Sequence, residues 1–145
     1  MPKHRSIAFE VLGMPITEGS HRAYVRGGRP VVVHDRAAEL AAWRSAVRAA
    51  SLQAAEEANW PLNYNGPVSV NVTFRLPHPK RPMHPVWACT KPDLDKLERA
   101  ISDSLSPYRQ TGVLKDDSRI SRWVAEKIYA ASPELVGAHI RVSTL

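Results

Sequence analysis

The chain has 145 residues, 43% hydrophobic and 23% charged, which is one domain's length and too apolar for disorder. Its single cysteine, Cys89, excludes an internal disulfide framework and a multi-cysteine zinc site; no apolar run nears the roughly 20 residues of a membrane span, and no apolar stretch follows the basic Met1 to Arg5 as a secretory signal requires. The expectation is a cytoplasmic protein with no membrane partner. The formal charge is +6, and fourteen of the twenty cations are arginine; that planar fork of donors suits phosphate, although a basic balance also fits a merely solvated cationic surface.

Ile7 to Leu12 reads as a strand, ended by Gly13 and Pro15. Ala23–Arg26 and Pro30–Val33 flank Gly27-Gly28-Arg29, the pattern of a hairpin whose glycines supply positive φ. Asp35 is the expected N-cap of a helix from Arg36 to about Ala58, with Leu40, Trp43, Val47, Ala50 and Ala54 as its buried stripe. Val68, Val70, Val72, Phe74 and Leu76 alternate with polar residues, which predicts a half-buried strand. Pro77 to Pro85, with four prolines, is a loop. Leu94, Leu97, Ile101 and Leu105 predict a second amphipathic helix, starting near Asp93 to Asp95, with Asp95 and Glu98 at capping-box spacing. Ile120–Ala130 and Ala138–Thr144 read as two final strands. The expected fold is a single α+β domain over residues 1–145, a mixed sheet with two main helices.

The carboxylates are uneven. Asp93 and Asp95 stand at a helix entrance, and Asp116 and Asp117 follow a glycine-containing loop. In an extended approach to the helix, residues two apart point to one side, so there Asp93 and Asp95 could aim at a common point, with Asp117 or its neighbour completing a cluster; within a helix the two would diverge, so the helix start matters. Clustered carboxylates repel unless a cation lies between them, and magnesium is the usual hard ion for oxygen ligands. In a basic protein such a metal polarises a phosphodiester and activates water. The alternative is structural: Asp93 and Asp95 cap a helix, and Asp117 is a turn residue.

The run Lys91-Pro92-Asp93-Leu94-Asp95-Lys96-Leu97-Glu98-Arg99-Ala100-Ile101-Ser102-Asp103-Ser104-Leu105, then Gly112-Val113-Leu114-Lys115-Asp116-Asp117, resembles the RusA family of Holliday-junction resolvases, crossover junction endodeoxyribonucleases of phages and prophages. Gly13 to Arg22 also resembles the family's opening loop, and the likeness runs from about Ile7 to Val142. The resemblance implies a RusA-like fold and a Mg²⁺-dependent (Mn²⁺ substituting) homodimer. Such a dimer resolves four-way DNA junctions by paired symmetric nicks, in recombination and repair inside a bacterial host. By position it implies Asp93, Asp95 and Asp117 as metal ligands. Arg99 stands at the family's catalytic lysine, and Lys127 at a basic position of the following strand. Lys96 replaces the usual asparagine, and Glu18 stands where relatives often carry lysine. Arg22, Arg26, Lys80, Arg81, Lys91 and Lys96 are the expected DNA contacts. Two other functions remain open from the residues alone: a non-catalytic basic DNA-binding module, and a metal nuclease acting on forks or flaps.

The remaining signals read as structure. His78, His84 and Cys89 lie in a proline-rich loop without tetrahedral ligand spacing. Trp43 is expected in the core, and Gly27-Gly28 is a turn without the Lys-Ser/Thr of a phosphate loop.

Overall fold

A computed structural model describes residues 3–17, 21–34 and 36–145, with the side chains of 21–26 and 29–34 left out of the description. Among the described residues six strands and two α-helices follow in order: β1 (Ser6–Leu12), β2 (His21–Arg26), β3 (Arg29–His34), α1 (Ala37–Glu57), β4 (Val68–Leu76), α2 (Leu94–Leu105), β5 (Ile120–Tyr129) and β6 (Gly137–Thr144). The α+β, single-domain expectation holds, as does the order of elements. Among the described residues, no helix is long and apolar enough to cross a membrane.

The main sheet runs β1-β6-β4-β5. β1 and β4 both pair antiparallel with β6, while β5 lies parallel to β4. The parallel pair requires a crossover, and α2 supplies it. β2 and β3 form a separate two-stranded ladder, turned by Gly27 and Gly28 at φ 58° and 76°, the left-handed values a tight hairpin needs.

The core lies between the sheet and the two helices. Phe74, Ile140 and Val142 from the sheet meet Val47 of α1 and Leu97, Ile101 and Leu105 of α2, all fully buried. β4 buries Val68, Val70, Val72, Phe74 and Leu76 as its alternation predicts. Trp43 is in the core as expected. Trp60 joins it, its indole N–H donating to the carbonyl of Val113 at 3.0 Å.

Three local expectations need correction. The stripe of α1 is Leu40, Trp43, Val47, Ser51 and Ala55, with Ala50 and Ala54 only partly buried. Four-residue steps keep the contact line facing the core, and Ser51 tolerates burial because its hydroxyl donates to the carbonyl of Arg48 at 2.8 Å. The N-cap position of α1 is Arg36, in the left-handed region at φ 60° and without a side-chain cap bond; Asp35 lies outside the described residues. α2 begins within the expected window, but its N-cap is Asp93 and no capping box forms on Asp95.

Candidate active site

The site is built where the end of β5 meets the start of α2. The backbone of residues 86–88 runs along the last residues of β5. Ala88 N–H donates to the carbonyl of Lys127 at 3.2 Å, and Tyr129 N–H donates to that of Val86 at 2.9 Å. His84 tightens the same loop by accepting the N–H groups of Val86 and Trp87 at 3.1 and 3.0 Å. Lys127 then reaches out of the strand: its ammonium donates to the carbonyls of Thr90 and Pro92 at 2.6 and 2.7 Å. Asp93 follows directly, in an extended conformation at φ −69° and ψ 139°.

Asp93 holds the N-cap position, but neither aspartate at this entrance caps the helix with its carboxylate. The Asp93 side chain makes no cap hydrogen bond; only its main-chain carbonyl serves the helix, accepting from Leu97 N–H at 3.2 Å. Its carboxylate lies 3.7 Å from the ammonium of Lys96, with both side chains about half exposed. Asp95 is exposed in the first turn, where a negative charge suits the helix dipole. Glu98, one turn further on, is half-buried, and its carboxyl is held above its ordinary value, first by burial and then by the charge of Asp95. That upward push reflects burial of the Glu98 carboxyl together with the negative charge of Asp95 one turn before it. All-oxygen donors, left unused by the cap and repelling one another, fit a hard divalent ion such as Mg²⁺. Arg99, also exposed, lies one turn along the helix from Asp95 and therefore on the same side.

Asp117 is not part of this constellation within one chain. α2 runs back along β5, and Leu114 N–H donates to the carbonyl of Leu105, at the far end of the helix, at 3.0 Å. Asp116 and Asp117 come next, just before β5 begins, whereas Lys127 and Asp93 belong to the other end of that strand. The seven residue steps from Ile120 to Lys127 alone separate the two ends by roughly 20 Å. Among the described residues no three carboxylate, imidazole or thiol groups converge on one point. The expected three-aspartate cluster in a single chain is thus corrected to two separate acidic positions. The two neighbours also differ. Asp116 caps a 3₁₀ turn by accepting both the N–H and the hydroxyl of Ser118, and those bonds hold its carboxyl below the usual range. Asp117 is exposed.

The expected DNA contacts scatter. Lys91 and Lys96 are exposed beside Asp93, and Lys80 and Arg81 are exposed on the 77–85 loop. The side chains of Arg22 and Arg26 lie outside the described residues, as does Glu18. His78 packs against the ring of Tyr129, with centroids 5.0 Å apart, so it serves the loop's packing. Sequence reasoning missed Glu98 as a site residue, having assigned it to a capping box, although its spacing of three from Asp95 carried the signal. It also missed the clasp from Lys127 to the segment before Asp93, a long-range contact that no local pattern encodes.

The family model for the endodeoxyribonuclease RusA matches residues 13–142, nearly the whole chain. No curated protein matches the chain at a significant level. The match spans both acidic positions and the clasp that holds the first of them, and on that coverage the chain belongs to the RusA family of endodeoxyribonucleases, the nucleases of Holliday-junction resolution.

Proposed function

We propose that this protein is a Mg²⁺-dependent homodimer that resolves four-way DNA junctions by paired, symmetric nicks. The observation that carries the reading is that Asp93 and Asp95 flank the start of α2 without forming a cap or capping box. Carboxylates kept out of the cap, with Lys91, Lys96 and Arg99 beside them, suit a metal ion facing a phosphodiester better than a helix terminus. Asp93 and Asp95 would hold the ion, with Glu98 at its margin. When bound, it supplies Lewis-acid polarisation of the phosphate and a water nucleophile at neutral pH. Arg99 orients and offsets the charge that grows on the phosphate oxygens. It does not act as a base, because guanidinium keeps its proton. Lys127 keeps Asp93 in place.

The homodimer gives Asp117 a role. β5 is an edge strand, and among the described residues only its last few are covered by another segment. An open edge invites a second strand, and a two-fold operation pairs a strand with itself antiparallel. Such pairing carries the Asp117 end of one copy toward the Lys127 and Asp93 end of the other. Asp117 of a second copy would then complete the ligand set that one chain leaves unfinished. Two equivalent sites on a two-fold axis match the two opposed strands of a junction. A synthetic four-way junction tests the reading. Nicking that requires Mg²⁺ and stops with EDTA supports it; tight junction binding without any cutting favours the non-catalytic binding module.

A further inference from the structure

We infer that the cleft beside Asp93 is a nucleobase pocket, which receives one unstacked base of the junction strand next to the cut phosphate. The inference rests on the nuclease reading above and adds to it a substrate subsite. The cleft encloses about 460 Å³ at the C-terminal ends of the parallel strands β4 and β5, within the range of about 300–1,000 Å³ for small-molecule sites and large enough for one nucleoside. Its floor is apolar: Ile16, Leu76 and Ala88 line it, none more than 5% exposed. Lys91, Lys96 and Asp93 stand on its wall, so whatever fills it lies beside the carboxylate proposed to hold the metal.

Tyr129 supplies the specific feature. It borders the cleft, and its hydroxyl is buried with no hydrogen-bond partner among the described residues. A buried polar group left unpaired costs free energy; the hydroxyl is closed to solvent, so a ligand removes that cost once its entry shifts the phenol toward the ligand's polar edge. A nucleobase has two apolar faces and one hydrogen-bonding edge, which matches an apolar floor of Ile16, Leu76 and Ala88 with the phenol of Tyr129 and charged groups at its border. The two lysines suit the phosphates on either side of an extruded base. Extrusion from duplex costs stacking and pairing, and the cost is least where pairing is already interrupted. A crossover is such a place, so the pocket favours cutting at branch points and lets Tyr129 discriminate between bases there.

The test uses four-way junctions carrying 2-aminopurine at one crossover position at a time, titrated with the full chain in EDTA. The same preparations are assayed for nicking in Mg²⁺. The pocket predicts a rise in emission at one position adjoining the nick. Thr90→Phe, at the exposed mouth of the cleft, abolishes that rise while junction affinity is kept. Tyr129→Phe, which removes only the unpaired hydroxyl, lowers the preference between bases at that position by about fivefold, as loss of one neutral hydrogen bond would. No rise at any position, with a wild-type protein that binds and nicks, overturns the pocket and leaves the nuclease reading intact. A rise that survives both variants also overturns it, since the unstacking then happens elsewhere. A protein that neither binds nor nicks branched DNA removes the nuclease reading, and the pocket falls with it.

Discussion

The ammonium of Lys127 donates to the carbonyl of Pro92 at 2.7 Å, one residue before Asp93. Together with its bond to Thr90, this fixes the approach of the chain to α2 from the neighbouring strand. Lys127 is therefore a positioning residue for Asp93. Lys127→Met should slow cutting by about 100-fold, the order expected when a reacting group shifts by an ångström, while junction affinity changes little. Amide resonances of residues 93–95 should move in the metal-free variant. A variant that loses affinity but keeps its single-turnover rate would make Lys127 a phosphate contact instead.

Asp93→Asn and Asp95→Asn should each abolish cutting while leaving junction binding intact or tighter. Each removes a ligand charge, and each also removes a repulsion toward phosphate. Neither carboxylate caps α2, so melting temperatures should stay close to wild type. Cutting by either variant at near the wild-type rate in Mg²⁺ would contradict the assignment.

Asp116 and Asp117 should separate by role. Asp116 is spent on Ser118, so Asp116→Asn should lower stability slightly and keep activity, whereas Asp117→Asn should be inactive. Mixing Asp95→Asn with Asp117→Asn subunits then asks where the site is assembled. If Asp117 serves the opposite subunit, the mixed dimer holds one intact site and regains nicking of one strand. If each site is built within one chain, both sites of the mixed dimer are dead and no activity returns.

Glu98 gives a pH signature. Its native carboxyl is held above the ordinary value by burial and by Asp95, so the folded state keeps that proton to higher pH than the unfolded state does. Stability therefore falls as pH rises from the unfolded value through the folded one. Ionised Glu98 strains the metal-free protein at neutral pH. Glu98→Gln should raise its melting temperature there, with the difference vanishing in acid below the unfolded pKa. Added Mg²⁺ should narrow the gap by placing opposite charge beside the pair. A Glu98→Gln variant less stable than wild type at neutral pH would contradict this.

Much of the fold is legible in the chain. The period-two run in β4 and the three-four spacing of α2 each state which side is buried, so element type and core face follow together. The stripe of α1 is less legible, because alanines crowd the second half of the helix on every side and a serine with a local hydrogen bond packs as well as they do. The helix starts misled for one reason: capping is inferred from residue type and spacing, yet Asp93 and Asp95 keep their carboxylates out of the cap. That failure of a local rule falls at the site itself, where a conflict between local preference and function is expected. The separation of Asp117 from Asp93 was hidden because it depends on the direction of α2 against β5, a tertiary fact. The clasp of Lys127 and the phenol of Tyr129 were hidden for the same reason.

Cleavage of a four-way junction, a fork, a flap and linear duplex, side by side in Mg²⁺ with the nick positions mapped, tests the central claim most directly. The account predicts that the junction is cut well ahead of the other three, by symmetric nicks in opposed strands, and that EDTA or Asp93→Asn stops all cutting. Equal cutting of the four substrates, or cutting of the fork or flap ahead of the junction, would contradict it.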